Sequence, residues 1–165
     1  MSEEADRAAA AERDDVLDAA GSGDLPAVRH FVRQNRTAAL SAKNGFGETA
    51  LLWAAWQNHD DVVHFLIEAK ADLDVANNDG ATALHIAAFN GHLHTAELLV
   101  AAGASLDVKD KKGMTPLDLA RQFKEQEVVK LLESAAQKKV EATTQKKVLT
   151  VELWWQSTER AALTT

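Results

Sequence analysis

At 165 residues, 46% of them hydrophobic and 26% charged, the chain is about one domain long and ordinary in composition, which excludes wholesale disorder. Its 18 bases against 25 acids leave a net charge of −7, an unfavourable balance for binding nucleic acid or anionic lipid. The absence of cysteine removes disulfides, thiolate zinc sites and thiol nucleophiles, and fits a reducing compartment.

The chain opens on an acidic leader, residues 1–14, with neither the basic n-region nor the apolar h-region of a secretory signal. No apolar run is long enough to span a bilayer, so no membrane insertion is expected. These features point to the cytoplasm, with the nucleus also open to the protein. Residues 15–43 form an irregular first unit in which Ala19-Ala20, Gly23-Asp24 and the segment Val28 to Val32 hold places that become regular later. Two extra residues, expected in the loop around Arg36 to Leu40, separate it from the next unit.

From there the chain repeats itself. Gly47, Gly80 and Gly113 stand 33 residues apart, as do Thr49, Thr82 and Thr115, Leu51, Leu84 and Leu117, and Ala54, Ala87 and Ala120. Four residue types in one phase mark a structural repeat, and each unit carries the same local signals. The threonines precede apolar helical stretches as N-caps, and Pro116 occupies a first helical position where its missing N–H costs nothing. The small pairs Ala54-Ala55 and Ala87-Ala88 allow close helix approach. Asn58 and Gly91 then end the first helix with residues that tolerate a left-handed backbone, and a second helix comes after it with Val62, Val63 and Leu66, or Ala96, Leu98 and Leu99.

The segments GETALLWAAWQNHDDVVHFLIEAKADL, GATALHIAAFNGHLHTAELLVAAGASL and GMTPLDLARQFKEQEVVKLLESAA resemble the ankyrin-repeat pattern of Gly, Thr-Pro-Leu-His, Ala-Ala, Gly-His, Leu-Leu and Gly-Ala. The resemblance implies an all-α, ankyrin-like helix-turn-helix solenoid over residues 15–136. It would hold about four repeats with β-hairpin loops, at about 15–43, 44–76, 77–109 and 110–136, and a non-repeat tail at 137–165. Departures from the pattern are expected to matter. Leu52 and Asp118 replace the first-helix histidine kept at His85. Lys124 replaces the turn glycine and Arg121 an alanine, as suits a solvated end unit, and Lys70 stands in the register of Gly103, where a left-handed lysine costs on the order of 1–2 kcal/mol.

Catalytic chemistry finds little support. His85, His92 and His59 fall on positions where the pattern implies hydrogen bonding between adjacent loops, and no carboxylate or thiolate cluster completes a metal set. No metal, cofactor or enzymatic activity is expected. Gly21-Ser22-Gly23 reads as a turn, and Asp60-Asp61 as helix-start residues in an N-cap and dipole role.

The resemblance implies instead a protein-binding module or adaptor that uses its loop tips and first helices as a concave face. By register the tips carry Phe46, Asp79 and Lys112, and the exposed position after each alanine pair carries Trp56, Phe89 and Gln122, with Phe123 beside it. In a chain only 5% aromatic, that gathering points to anchors for another protein or peptide. Glu48 and Asp79 would select a partner with basic groups. Trp53, in phase with Ile86 and Leu119, belongs to the core, as do Phe31 and Phe65.

The tail breaks the repeat. In KKVLTVELWWQ, residues 146–156, Leu149, Val151, Leu153 and Trp155 alternate with Thr150 and Glu152, a two-residue period broken at Trp154 that predicts an extended strand. Such a strand would dock on the solenoid, pair with a second copy or add to a partner. Leu149, Val151, Leu153, Trp154 and Trp155 are therefore candidate interface residues, and a self-associating structural protein is the alternative function.

Overall fold

The computed structural model describes residues 14–162, with side chains as far as Thr150 and at Glu152 and Trp155. Apart from Asp14, the acidic leader lies outside the described residues. Nine helices succeed one another among the described residues: α1 (14–22), α2 (Leu25–Gln34), α3 (Arg36–Ser41), α4 (Ala50–Trp56), α5 (Asp60–Glu68), α6 (Ala83–Asn90), α7 (Leu93–Ala101), α8 (Pro116–Phe123) and α9 (Gln126–Ala162). The chain divides into two units, residues 1–132 and 133–165.

In the first unit the helices stack in two rows. α4, α6 and α8 pack side by side, and α2, α5 and α7 form the second row. Alanines make the close approach possible: Ala54, Ala55, Ala87, Ala88 and Ala120 are fully buried. α6 lies between α4 and α8, and every residue from Ala83 to Ala88 is buried, so these turns are enclosed all round and do not present a single apolar stripe. The second-row residues Val28, Val62, Val63, Ala96 and Leu99, with Val128 and Leu132 at the start of α9, complete one core.

Turn chemistry sets where the helices end. Asn58, Gly91 and Lys124 close α4, α6 and α8 with φ of 60°, 70° and 63°. Lys70 is left-handed as its register implied, at φ 64°. Thr49, Thr82 and Thr115 are the N-cap residues of α4, α6 and α8, and Pro116 opens α8. α5 begins differently from the expectation. Its N-cap is His59, and Asp60 and Asp61 lie in the first turn, where their charge still complements the helix dipole. The Asp60 carboxylate accepts from the Thr95 hydroxyl at 2.6 Å, tying α5 to α7.

Each loop between units is closed by two backbone hydrogen bonds: Asn44, Asn77 and Asp110 N–H donate to the carbonyls of Glu48, Ala81 and Met114 at 3.1, 3.0 and 3.0 Å, and Gly47, Gly80 and Gly113 N–H donate back to the carbonyls of Asn44, Asn77 and Asp110 at 3.0, 3.0 and 2.9 Å. No strand is formed among the described residues. The side chains of Asn44, Asn77 and Asp110 also accept two N–H groups each from their own loops, at 2.8–3.0 Å. Neighbouring tips are joined by Asn78 N–H to Phe46 C=O at 2.8 Å and Lys111 N–H to Asp79 C=O at 2.9 Å.

Two expectations are corrected. The insertion near Arg36 to Leu40 is helix α3, capped by the Asn35 side chain accepting from Ala38 N–H at 3.2 Å. Residues 146–156 are helical within α9, so Leu149, Val151, Leu153, Trp154 and Trp155 do not share the side of a strand. From Gln126 onward the sequence holds no Gly or Pro and is rich in Ala, Lys, Gln and Glu. A helix already nucleated therefore propagates, and the local β preference of a few residues is too weak to stop it. Thr143, Thr144 and Thr150 direct their hydroxyls to the carbonyls of Lys139, Val140 and Lys146 at 2.8–2.9 Å, which suits β-branched residues to this helix. Within the second unit Val140, Val148, Leu149 and Trp155 are exposed.

Candidate functional site

The three first-row helices each end at an aromatic side chain. Trp56 is the last residue of α4, Phe89 the penultimate residue of α6 and Phe123 the last of α8. Because these helices stack in register, the rings form a row. Trp56 and Phe89 lie 6.3 Å apart between centroids at 16°, and Phe89 meets Phe123 edge-on at 4.3 Å and 61°. They remain 50%, 37% and 42% exposed, although aromatic rings ordinarily bury most of their area. The row takes Phe123 in place of Gln122, one residue beyond strict register.

Phe46 stands apart from this row. It is 71% exposed at a loop tip, and no ring contact joins it to the other aromatics among the described residues. Asp79 and Lys112 are exposed at the next two tips, each held by an N–H bond to the Asn77 or Asp110 side chain at 2.9 Å. Glu48 is half-buried where its loop enters α4 and accepts from Asn44 Nδ2 at 2.8 Å. With Leu52, Trp53 and Trp56 it lines a cleft of about 130 Å³. Trp53 packs on the core as expected, close enough to Gly21 that a Cβ there would lie 3.0 Å from the indole. Its Nε1 and the Thr49 hydroxyl are buried without hydrogen-bond partners among the described residues.

The orphaned Thr49 hydroxyl has a cause in sequence. Three residues after each N-cap threonine stand Leu52, His85 and Asp118. His85 is fully buried; its Nδ1 faces the Thr82 N–H at 3.2 Å and hydroxyl at 2.8 Å, and its Nε2 faces the Met114 carbonyl at 3.1 Å. These partners require a neutral ring with the proton on Nε2, and burial holds its pKa below the ordinary value. Asp118 makes the local half of the arrangement, accepting from Thr115 N–H at 3.0 Å and Oγ1 at 2.7 Å. Those two bonds, the backbone one first, lower its carboxyl pKa. Leu52 offers neither group, which leaves Thr49 without a capping partner.

The histidines that share one phase of the repeat also tie units together. His59 Nε2 donates to Gly21 C=O at 3.0 Å and His92 Nε2 to Trp56 C=O at 3.2 Å. Among the described residues no three His, Cys, Asp or Glu side chains group as a metal site would require, and no helix is long and apolar enough to cross a membrane. The loop-closing side chains of Asn44, Asn77 and Asp110 are not among the residues that the repeat pattern singles out. Their signal is nonetheless present in the sequence, since each stands three residues before Gly47, Gly80 or Gly113.

Two stacked rows of short helices, bridged loop to loop, define a helical-repeat solenoid with an exposed aromatic row. The family model for ankyrin repeats, described as three copies, matches residues 16–110 and, in an overlapping placement, 69–143. The chain belongs to the ankyrin-repeat family, whose repeats are generally protein–protein interaction modules. It is similar to the human "Ankyrin repeat and SAM domain-containing protein 3", 39% identical over 61 residues, which are 37% of this chain and 9% of that protein. A second relative is a "Putative ankyrin repeat protein" of Rickettsia bellii (strain RML369-C), 37% identical over 57 residues, 32% of this chain and 34% of that protein. The chain thus spans about a third or less of the length of these relatives.

Proposed function

We propose that the protein is a non-catalytic binding module or adaptor that holds another protein or peptide on a concave face built from its first-row helices and loop tips. In this reading residues 15–136 hold about four repeats, the first degenerate, and the setting is the cytoplasm. One observation carries it: three aromatic rings from three successive units are in contact with one another and yet remain solvent-exposed. Exposed contiguous apolar surface marks interfaces, and Trp is a preferred anchor. Phe46, Glu48, Asp79 and Lys112 would form the polar and apolar rim on the loop side. Capture of partners from lysate by wild type, Trp56→Ala and Phe89→Ala tests it. Truncating an anchor costs about 2 kcal/mol or more of binding, so both variants should lose capture while melting near wild type. Variants that lose the fold but bind normally when folded would refute the proposal.

A second reading, self-association through the tail, draws on the exposure of Val148, Leu149 and Trp155 along one helix. Here Leu149, Val151, Leu153, Trp154 and Trp155 would contact a second copy helix to helix. Sedimentation mass that rises with concentration would support it.

A further inference from the structure

We propose that the cleft beside Trp56 receives the cationic head of a lysine or arginine side chain on the partner, which makes the partner a basic peptide segment. This rests on the reading of the aromatic row as a binding face. Glu48, Leu52, Trp53 and Trp56 line about 130 Å³, and each lining group suits such a side chain. Indole presents the strongest π face for a cation among the aromatic residues, and two of the chain's four tryptophans meet here. The Trp53 and Trp56 rings, above a floor closed by the buried Leu52, offer apolar surface for the methylene stem, which long basic side chains bury while their charge stays at a polar group.

The charge is supplied by Glu48. Its carboxylate accepts from Asn44 Nδ2 at 2.8 Å, and a carboxylate has about four acceptor sites. No basic side chain pairs with it among the described residues. An apolar side chain would fill the cleft but leave this carboxylate half-desolvated and uncompensated, whereas an ammonium or guanidinium compensates it. The net charge of −7 adds long-range attraction for a basic segment.

The combination is particular to one unit. One period later the lining positions hold Ala81, His85, Ile86 and Phe89, and two periods later Met114, Asp118, Leu119 and Gln122. Neither set joins two indoles to a carboxylate at the loop entry. The repeat architecture therefore does not require these residues, since the other units stack without them.

The test uses the full chain labelled with nitrogen-15 and tracks its indole N–H resonances, assigned by Trp→Phe variants. The probes are Nα-acetyl-lysine methylamide and its Nζ-acetylated, uncharged counterpart. The lysine probe should shift the Trp53 and Trp56 resonances saturably, and the uncharged probe should not. Glu48→Gln keeps an acceptor for Asn44 and should weaken the lysine probe roughly 1.5- to five-fold, the range of a solvent-accessible ion pair. Equal shifts by both probes, an unchanged affinity in Glu48→Gln, or no saturable shift would each overturn the cation site. If capture from lysate still depends on Trp56 and Phe89 in that event, the binding face stands without it. If capture ignores Phe89 while the lysine probe binds, the face falls and the cleft stands.

Discussion

Replacing His85 with leucine, the residue found at the equivalent position 52, separates the capping role of this histidine from its packing role. The substitution keeps a buried apolar side chain of similar size. It removes the acceptor for the Thr82 N–H and hydroxyl, now at 3.2 and 2.8 Å, and the donor to Met114 C=O at 3.1 Å. The Met114 carbonyl keeps the Asp110 N–H at 3.0 Å, so its loss is small. An orphaned buried donor costs about 1–3 kcal/mol and a lost net hydrogen bond about 1 kcal/mol, while the extra apolar burial of leucine returns about 1 kcal/mol. The expected net loss is about 1–3 kcal/mol at about pH 7.5. Acidification should change that gap. Burial lowers the His85 pKa, so below the ordinary value of about 6.5 the unfolded chain takes up a proton that the folded chain resists. The stabilisation from His85 is therefore complete above about pH 6.5 and is lost as pH falls below it, by at most about 1.4 kcal/mol per pH unit. Urea denaturation monitored by circular dichroism from about pH 7.5 to 5.5 reads both effects, and subtracting the His85→Leu curve removes the contributions of the other histidines. Equal midpoints at the upper pH, or a gap that stays constant or widens on acidification, would refute the buried neutral tie.

Gly80→Ala and Gly113→Ala share a left-handed backbone, at φ +81° and +80°, yet a Cβ at 80 would lie 2.9 Å from Lys111 N while none of the surroundings come within 4 Å at 113. Both should lose about 1 kcal/mol to backbone strain, and Gly80→Ala roughly 1 kcal/mol more; matching denaturation midpoints would show that the loop-to-loop contact yields freely. Lys70→Gly and Lys124→Gly relieve strain at φ 64° and 63° but raise unfolded-chain entropy, so each should gain up to about 1.5 kcal/mol, and a lowered midpoint would contradict this. Cutting the chain after Val140 should leave the stability within about 0.5 kcal/mol of wild type, because Leu132 is the last buried core residue among the described residues. In the same experiment, a sedimentation mass that does not respond to the truncation would rule out tail-driven association.

Most of the repeat architecture was legible in the sequence because its causes are local. Thr49, Thr82 and Thr115 can begin helices, alanine pairs permit close packing, and Gly or Asn can turn the chain left-handed, wherever those residues stand. Register then carried the inference to residues that local preference disfavours: Lys70 is left-handed because its unit must turn where Gly103 turns. The tail shows where local reading fails. Four alternating apolar residues read as a strand, but a helix begun at Gln126 meets no Gly or Pro and continues through them.

The periodicity of Trp56 and Phe89 marked them as exposed, and it placed Gln122 rather than Phe123 next in line. Which ring completes the row depends on how α6 and α8 stack, a distance of 4.3 Å between the rings of Phe89 and Phe123. The cleft has the same origin, since Glu48 comes from a loop and Leu52, Trp53 and Trp56 from successive turns of α4. The chain by itself determined the period, the ends of α4, α6 and α8 and the residues able to turn left-handed, because those depend on the φ/ψ and capping preferences of single residues. Only the tertiary structure decided that His85 reaches Met114 and that three rings touch, because each depends on groups brought together across units by stacking.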